Sequence, residues 1–450
     1  MPRQPKKRSE VWNGWLVNWL NLKELRASAE PRIVERKGKQ EYQIPVATYP
    51  HPNPPERICC LAGIPKRHDK VKVRYRDRRI EPMPTVLIVE RQRYKCHHCG
   101  AIVLEAMDAD LDHKWYITHR FKRALQLASV KRNFQDAANL NGVDDSYIIR
   151  LFDEFATEKL EYYHTNLPEV LGVDENNLLG GMRFVAADLE TGQILDLLPV
   201  RTEAAVMAFF AELHWKFYVK VFVQDMWRGY RNVAEQMFPK ALNIVDKFHV
   251  VRMANDGMAD ARKWYQTKLE NEDRRSLKNK HRMFLARWDG MHSTSQDTLA
   301  EILEDHPFLN DAYIWKERFY MIYDSATRAE AEKEYDRLVA TMPPHLKRFY
   351  RPLTTSMKNW RPQIFNHFEM PERWTNNMTE NLNGRLNQIN SMARGMTFDR
   401  FRKKAILRFG KIIPNNELAV YSGDPNDDPR QIGFGWDVST LERALKKGRF

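Results

Sequence analysis

Apolar positions change their period several times along this chain, and each change predicts a different kind of element. Residues 11–20, VWNGWLVNWL, place Trp12, Trp15, Leu16 and Trp19 at helical spacing. A Pro-rich break, PHPNPPER, follows at 50–57. Between 58 and 104 the period drops to two: KVKVRYRDRR and TVLIVERQRYKC read as two short strands with charged outer faces. Residues 114–163 lack proline and read as helices. From 169 to 250 short apolar runs alternate with helical stretches. EVLGVDENN leads into GMRFVAADLETGQILDLLPV, a hairpin turning near Thr191-Gly192. A helix over about 203–217 precedes KVFVQD, and RNVAEQMF, stopped by Pro239, precedes ALNIVDKFHV. The order is three strands, helix, strand, helix, strand, which predicts an α/β mixed sheet. Residues 251–375 are helical and heavily charged, with few strand signals. ERWTNNMTENLNGRL opens a further helix, GMTFDRFRKKAILRFG is a basic one, SGDPNDDPRQ a linker and STLERALKKGRF a short terminal helix.

These changes divide the chain into an N-terminal helical and basic arm (1–50), a cysteine-bearing β module (51–112) and a helical segment (113–165). A first α/β part (166–255), a large helical insertion (256–370), a return to the α/β domain (371–412) and a C-terminal linker and helix (413–450) follow.

Charge narrows the choice of partner. The 450 residues carry a net charge of +13 and a pI near 9.4. Eleven Lys or Arg against four Asp or Glu lie between Lys66 and Lys95, so more than half of the surplus sits in the β module. A surplus of this size favours a polyanion, because each phosphate contact releases counterions. No apolar run approaches the roughly 18–20 residues of a membrane span, and no signal-peptide core follows the basic start.

All four cysteines, Cys59, Cys60, Cys96 and Cys99, fall within one stretch of the β module. Clustering of this kind indicates a metal in a reducing compartment rather than a secreted disulfide framework. Cys96-His97-His98-Cys99-Gly100 has the spacing of a zinc knuckle. Its partner pair is adjacent rather than spaced by two, so one thiolate with His68, His97 or His51 is an alternative way to complete four ligands.

Within the helical segment, FQDAANLNGVDDSYIIRLFDEF has helix-turn-helix logic. Ala137, Ala138 and Leu140 form the inner face of the first helix, Asn141-Gly142 the turn, and Asp144 or Asp145 the next N-cap. Ile148, Ile149 and Phe152 are then buried, which turns Ser146, Tyr147 and Arg150 toward a DNA groove.

Three carboxylates carry the candidate chemistry. Asp174 and Asp225 each end an apolar run, where an α/β sheet presents side chains to a ligand, and Glu380 sits on a later helix. Asp174 is preferred over the adjacent Glu175; Asp188 and Asp196 suit turns and hairpin strands. Two strand-end acids and a third from a helix can hold a pair of Mg²⁺ (or Mn²⁺) ions that clamp the attacking and leaving oxygens of a phosphodiester. Asp246 and His249 follow another apolar run. His249 suits a phosphate contact, an orienting role beside an acid or metal, or an ordinary strand-helix junction. Arg228, Arg231, Lys247 and Arg252 follow the acidic positions closely and are candidate phosphate contacts.

Taken in order, the cysteine ribbon, the helix-turn-helix, GVDE, QDMWRGYR, VDKFHVVR, TENLNGRLNQI and GMTFDRFR resemble the L-three family of bacterial insertion-sequence transposases, which are DDE enzymes. The resemblance runs from about Cys59 to Arg408; Asn387 stands where family members often carry lysine. It implies a ribonuclease-H-like mixed sheet with a large helical insertion, preceded by a zinc-ribbon-like β module and a helix-turn-helix. It implies Asp174, Asp225 and Glu380 as catalytic and Mg²⁺-binding, Asp246 and His249 as an accessory motif, and a structural Zn²⁺ on the cysteines. The implied partner is double-stranded DNA, both transposon ends and target, met by a homodimer or larger assembly in the bacterial cytoplasm, with no membrane. Two other functions share many of these features: a DNA-binding regulator with an inactive ribonuclease-H-like domain, and a metal-dependent nuclease that cuts without joining.

Overall fold

The computed structural model describes residues 22–36, 38–49, 60, 65–80, 83–106, 109–270, 273–274, 277–393 and 395–413. The expected helix at 11–20, Cys59 and the terminal helix lie outside the described residues. The chain forms two compact units that divide between Tyr162 and Tyr163, the second ending at Gly410. Among the described residues no helix is long and apolar enough to cross a membrane.

The first unit is built on an eight-stranded sheet. Its strands are β1 (Leu25–Ala27), β2 (Arg32–Arg36), β3 (Lys39–Thr48), β4 (Pro65–Ile80), β5 (Met83–Cys96), β6 (Ile102–Leu104), β7 (Leu111–Asp112) and β8 (Ile117–Thr118). The order is β1-β3-β5-β4-β8-β7, with β2 on β3 and β6 on β5. Two expectations change here. Residues 25–48 are not part of a helical arm: Tyr42, Ile44 and Val46 alternate inward and join the β-module core with Leu87 and Val89. The strands β4 and β5 are also long, 16 and 14 residues, because their antiparallel pairing survives two register shifts.

Among the described residues, three helices complete this unit. Thr118 caps His119–Lys131 by accepting from Phe121 N, and Asn133 caps Phe134–Asn141 by accepting from Asp136 N. Gly142 ends the latter helix at φ +64°, a left-handed conformation that favours glycine, and Asp145–Leu160 follows. Ala137, Ala138, Ile148 and Phe152 are buried as expected, whereas Leu140 is exposed.

The second unit has a five-stranded mixed sheet. It contains β9 (Val170–Leu178), β10 (Gly181–Asp188), β11 (Gln193–Leu198), β12 (Val221–Gln224) and β13 (Leu242–Val245), in the order β11-β10-β9-β12-β13. The first three are antiparallel neighbours; β12 and β13 run parallel to β9. Helices Glu203–Glu212 and Arg228–Met237 cover one face, burying Val206, Phe210 and Val233 against Val173, Phe184 and Phe222. Helices Asn377–Ser391 and Phe398–Phe409 cover the other, burying Leu382, Leu386 and Phe401 against Val185, Ala187 and Leu197. Apolar residues on both sides explain why these strands read as continuous apolar runs. Helices from Lys247–Gln266 to Arg361–Phe365 form a separate core around Trp315, Phe319 and Tyr350. This is the helical insertion.

Candidate active site

Register places three acids side by side. Val223 of β12 pairs with Gly172 of β9, and Gln224 pairs with Val245 of β13. Asp174 is two residues beyond Gly172, Asp225 two beyond Val223, and Asp246 one beyond Val245. All three therefore stand at one edge of the sheet, where β12 and β13 end, although Asp174 itself lies within β9, which runs on to Leu178. The parallel direction of β9, β12 and β13 makes this edge the common C-terminal end, where ligands of α/β sheets bind.

Glu380 comes from the first turn of Asn377–Ser391. That helix is brought close by a glycine and an asparagine. A β-carbon on Gly172 would lie 2.6–2.8 Å from Leu189 Cδ2, Thr379 Oγ1 and Asn376 Oδ1, so only glycine admits the helix start. The fully buried Asn376 donates from its backbone N to Asp246 Oδ1 at 3.0 Å and from Nδ2 to Val173 O at 2.9 Å. One residue thus ties the Glu380 helix to both β9 and Asp246.

Electrostatics agree with this convergence. Burial pushes Asp174 up to about 8, with the charge of Asp225 next and those of Asp246 and Glu380 adding to it, while His249 opposes. Burial also raises Glu380, with Asp246 and Asp225 reinforcing it and His249 opposing. His249 Nδ1 lies 2.9 Å from Asp225 Oδ1 and 3.4 Å from Asp246 Oδ2. Burial by itself would lower the imidazolium; its contacts with both carboxylates outweigh this and hold it near 10. Asp225 Oδ1 and Asp246 Oδ2 are buried and accept no hydrogen bond of good geometry, even from His249. Buried, crowded carboxylate oxygens with open acceptor capacity suit a divalent cation, whose charge offsets the repulsion.

Other residues near the acids have settled positions. Glu175 is ion-paired with Arg201, which leaves Asp174 as the inward member of the pair. Asp188 caps its turn at Glu190 N, and Asp196 binds Arg402 through both carboxylate oxygens. Arg231 is turned inward, 3.6 Å from the centre of the Trp360 ring and donating to Asn359 O at 2.9 Å. Lys247 lies over Tyr323, and burial lowers its pKa. Both are partly buried against rings of the helical insertion. Arg228 and Arg252 are exposed.

Two positioning residues escape sequence reasoning. Asn383 Nδ2 donates to Asp174 Oδ2 at 2.7 Å, and Tyr230 OH donates to Asp174 O at 3.2 Å. The signal for Asn383 is in TENLN: it lies three residues after Glu380, on the same helical face.

In the first unit, Cys60, Cys96 and Cys99 bring their sulfurs within 4.8 Å of one another. Cys60 Sγ is 3.7 Å from Cys96 Sγ. Two thiolates bound at about 2.3 Å to a tetrahedral zinc stand roughly 3.8 Å apart, so the spacing suits that ion. The histidine beside them is His98, with Nδ1 3.5 Å from Cys60 Sγ, rather than His68 or His97. Among the groove residues expected of the helix-turn-helix, Ser146 and Arg150 are exposed. Tyr147 is not: its OH donates to Trp115 O at 3.1 Å and its ring packs edge-on to Trp115, so burial raises it to about 12.

Residues 171–405 match the family model for transposases of the ISL3 DDE type. The chain belongs to that transposase family. No curated protein matches it significantly.

Proposed function

We propose that the chain binds the terminal inverted repeats of an insertion sequence, cleaves DNA strands there and joins the 3′-hydroxyl ends to target DNA. The carrying observation is the row of Asp174, Asp225 and Asp246 across three adjacent strands, with Glu380 drawn onto it by Asn376. The strand order β11-β10-β9-β12-β13, antiparallel then parallel, supports a ribonuclease-H-like domain for the second unit.

Asp174, Asp225 and Glu380 would hold two Mg²⁺ or Mn²⁺ ions. Bound there, such ions supply an activated water or 3′-hydroxyl and neutralise the departing oxygen. Asn383 helps to fix the rotamer of Asp174 by donating to Oδ2, while Glu175 N donates to Oδ1. Asp246, locked by Asn376 N, orients His249, and His249 shares its charge between Asp225 and Asp246. Arg228 and Arg252 meet backbone phosphates near the acids. In the first unit, Ser146 and Arg150 contact DNA, while Cys60, Cys96 and Cys99, with His98 or Cys59, hold a structural Zn²⁺. Joining two ends requires at least two copies on DNA.

The test uses DNA carrying the element's ends, with Mg²⁺ or Mn²⁺. Wild type should nick and join it, while Asp225→Asn and Glu380→Gln should bind without cutting. Wild type that binds without cutting would make the chain a regulator; cutting with no joined product would make it a nuclease.

A further inference from the structure

A cavity of about 560 Å³ opens in the first unit, between the β2–β5 region of the sheet and the turn at Asn141-Gly142. Its walls carry Arg36, Lys39, Arg74, Arg76 and Arg79. The two acids present are already engaged. Glu41 accepts from Arg74 Nη2 at 2.7 and 2.8 Å. Asp77 accepts from Thr118 Oγ1 at 2.6 Å and from Arg120 Nε at 2.9 Å. Arg36, Lys39 and Arg76 are exposed, so the cavity keeps a positive surplus facing solvent.

The cavity also has a ring. Tyr116 lines it, is 56% exposed, and has φ +53°, an uncommon conformation for a bulky residue. Arg76 N donates to Tyr116 O at 2.9 Å and so anchors this backbone. Tyr75 backs the ring, with centroids 5.8 Å apart. Strain held in place so that an aromatic ring stands beside exposed cations is a mark of a binding site. A duplex is too wide to enter such a cavity, but one nucleotide, a phosphate with a π-faced base, matches it in size and chemistry.

We propose that this cleft seats one unpaired nucleotide of a DNA strand, its phosphates on Arg36, Lys39 and Arg76 and its base stacked on Tyr116. The inference rests on DNA being the partner, and it adds a single-strand contact distinct from the helix-turn-helix face. It also gives half-buried Tyr147 a place in the cavity wall rather than in a groove.

The experiment is fluorescence anisotropy with the full chain. The probes are a short blunt duplex and the same duplex with an unpaired tail, each titrated over a range of salt. Wild type should prefer the tailed probe by roughly tenfold. Tyr116→Asn, which tolerates the left-handed backbone, should abolish that preference, and Tyr116→Phe should keep it. The Arg36→Ala/Lys39→Ala/Arg76→Ala variant, altered only at exposed positions, should flatten the salt dependence of the tailed probe by about 2–3 in log–log slope. Equal binding of both probes by wild type, or a preference surviving in Tyr116→Asn, overturns the cleft while leaving DNA binding intact. Failure of wild type to bind either probe instead overturns the DNA-binding reading itself.

Discussion

The cysteine cluster of the first unit and the carboxylate cluster of the second are assembled in opposite ways. Cys96 and Cys99 end one strand and its turn, so two of the three thiolates are neighbours whatever the rest of the chain does. Asp174, Asp225 and Glu380 come from three distant segments and meet through strand register and one asparagine. Cys60 and Cys96 already stand at zinc-like spacing, whereas burial, with the charges of the neighbouring carboxylates adding to it, pushes Asp174 and Glu380 up. Closed, neutralisable thiolate sites serve structure; crowded acids with open oxygens serve chemistry that a cation completes.

The sharpest way to break this contrast is at the acids. Asp225→Asn or Glu380→Gln should lower strand cleavage by at least about a thousandfold with little change in melting. Substitution in the other cluster should reverse the pattern. Cys96→Ser should destabilise the first unit by about 3 kcal/mol, read as an early unfolding step, and should abolish zinc retention measured by metal analysis. Gly172→Val tests whether the acids depend on tertiary seating. A side chain there meets Thr379 and Asn376, so a loss of about 2–3 kcal/mol in stability should accompany loss of cleavage. Asn383→Ala frees Asp174 to rotate, and cleavage should fall roughly 10–100-fold at unchanged stability.

The smallest effect concerns a buried amine away from both clusters. Burial, with Arg408 adding, lowers Lys404 to about 7. The unfolded chain then binds more protons than the folded one between about pH 7 and pH 10.5, so this lysine's penalty is full below 7 and fades as pH rises. Lys404→Met should therefore stabilise the protein more at pH 7 than at pH 10. The stabilisation should shrink measurably from the lower pH to the higher, read by denaturant titration at both values. Equal stabilisation at both would show that the amine is not held neutral.

Much of this was legible in the chain. Unbroken apolar runs before Asp174, Asp225 and Asp246 announced strands buried on both faces, and TENLN announced a helix bearing Glu380. Less local features were not. Residues 25–48 looked like an arm because their alternation is short and interrupted by charge; β3 forms by pairing in parallel with β5, and β1 and β2 by pairing antiparallel with β3. That Arg231 and Lys247 lie over Trp360 and Tyr323 was not legible, because nothing in their neighbourhood in sequence reveals those rings. Tyr147 looked groove-facing until Trp115, from another element, claimed its ring.

By itself, then, the sequence determined the strands and helices of the α/β part, the acids that follow apolar runs, the thiol spacing of Cys96 and Cys99 and the concentration of positive charge in the β module, since all of these depend on residues near one another. Tertiary structure alone decided which acids share an edge, that Asn376 and Asn383 hydrogen-bond to them, that Cys60 joins Cys96 and Cys99, and that a cationic cleft forms beside Tyr116. Register, close approach at a glycine and competition among distant side chains for one partner are set by packing, and packing has no signature in any single stretch of chain.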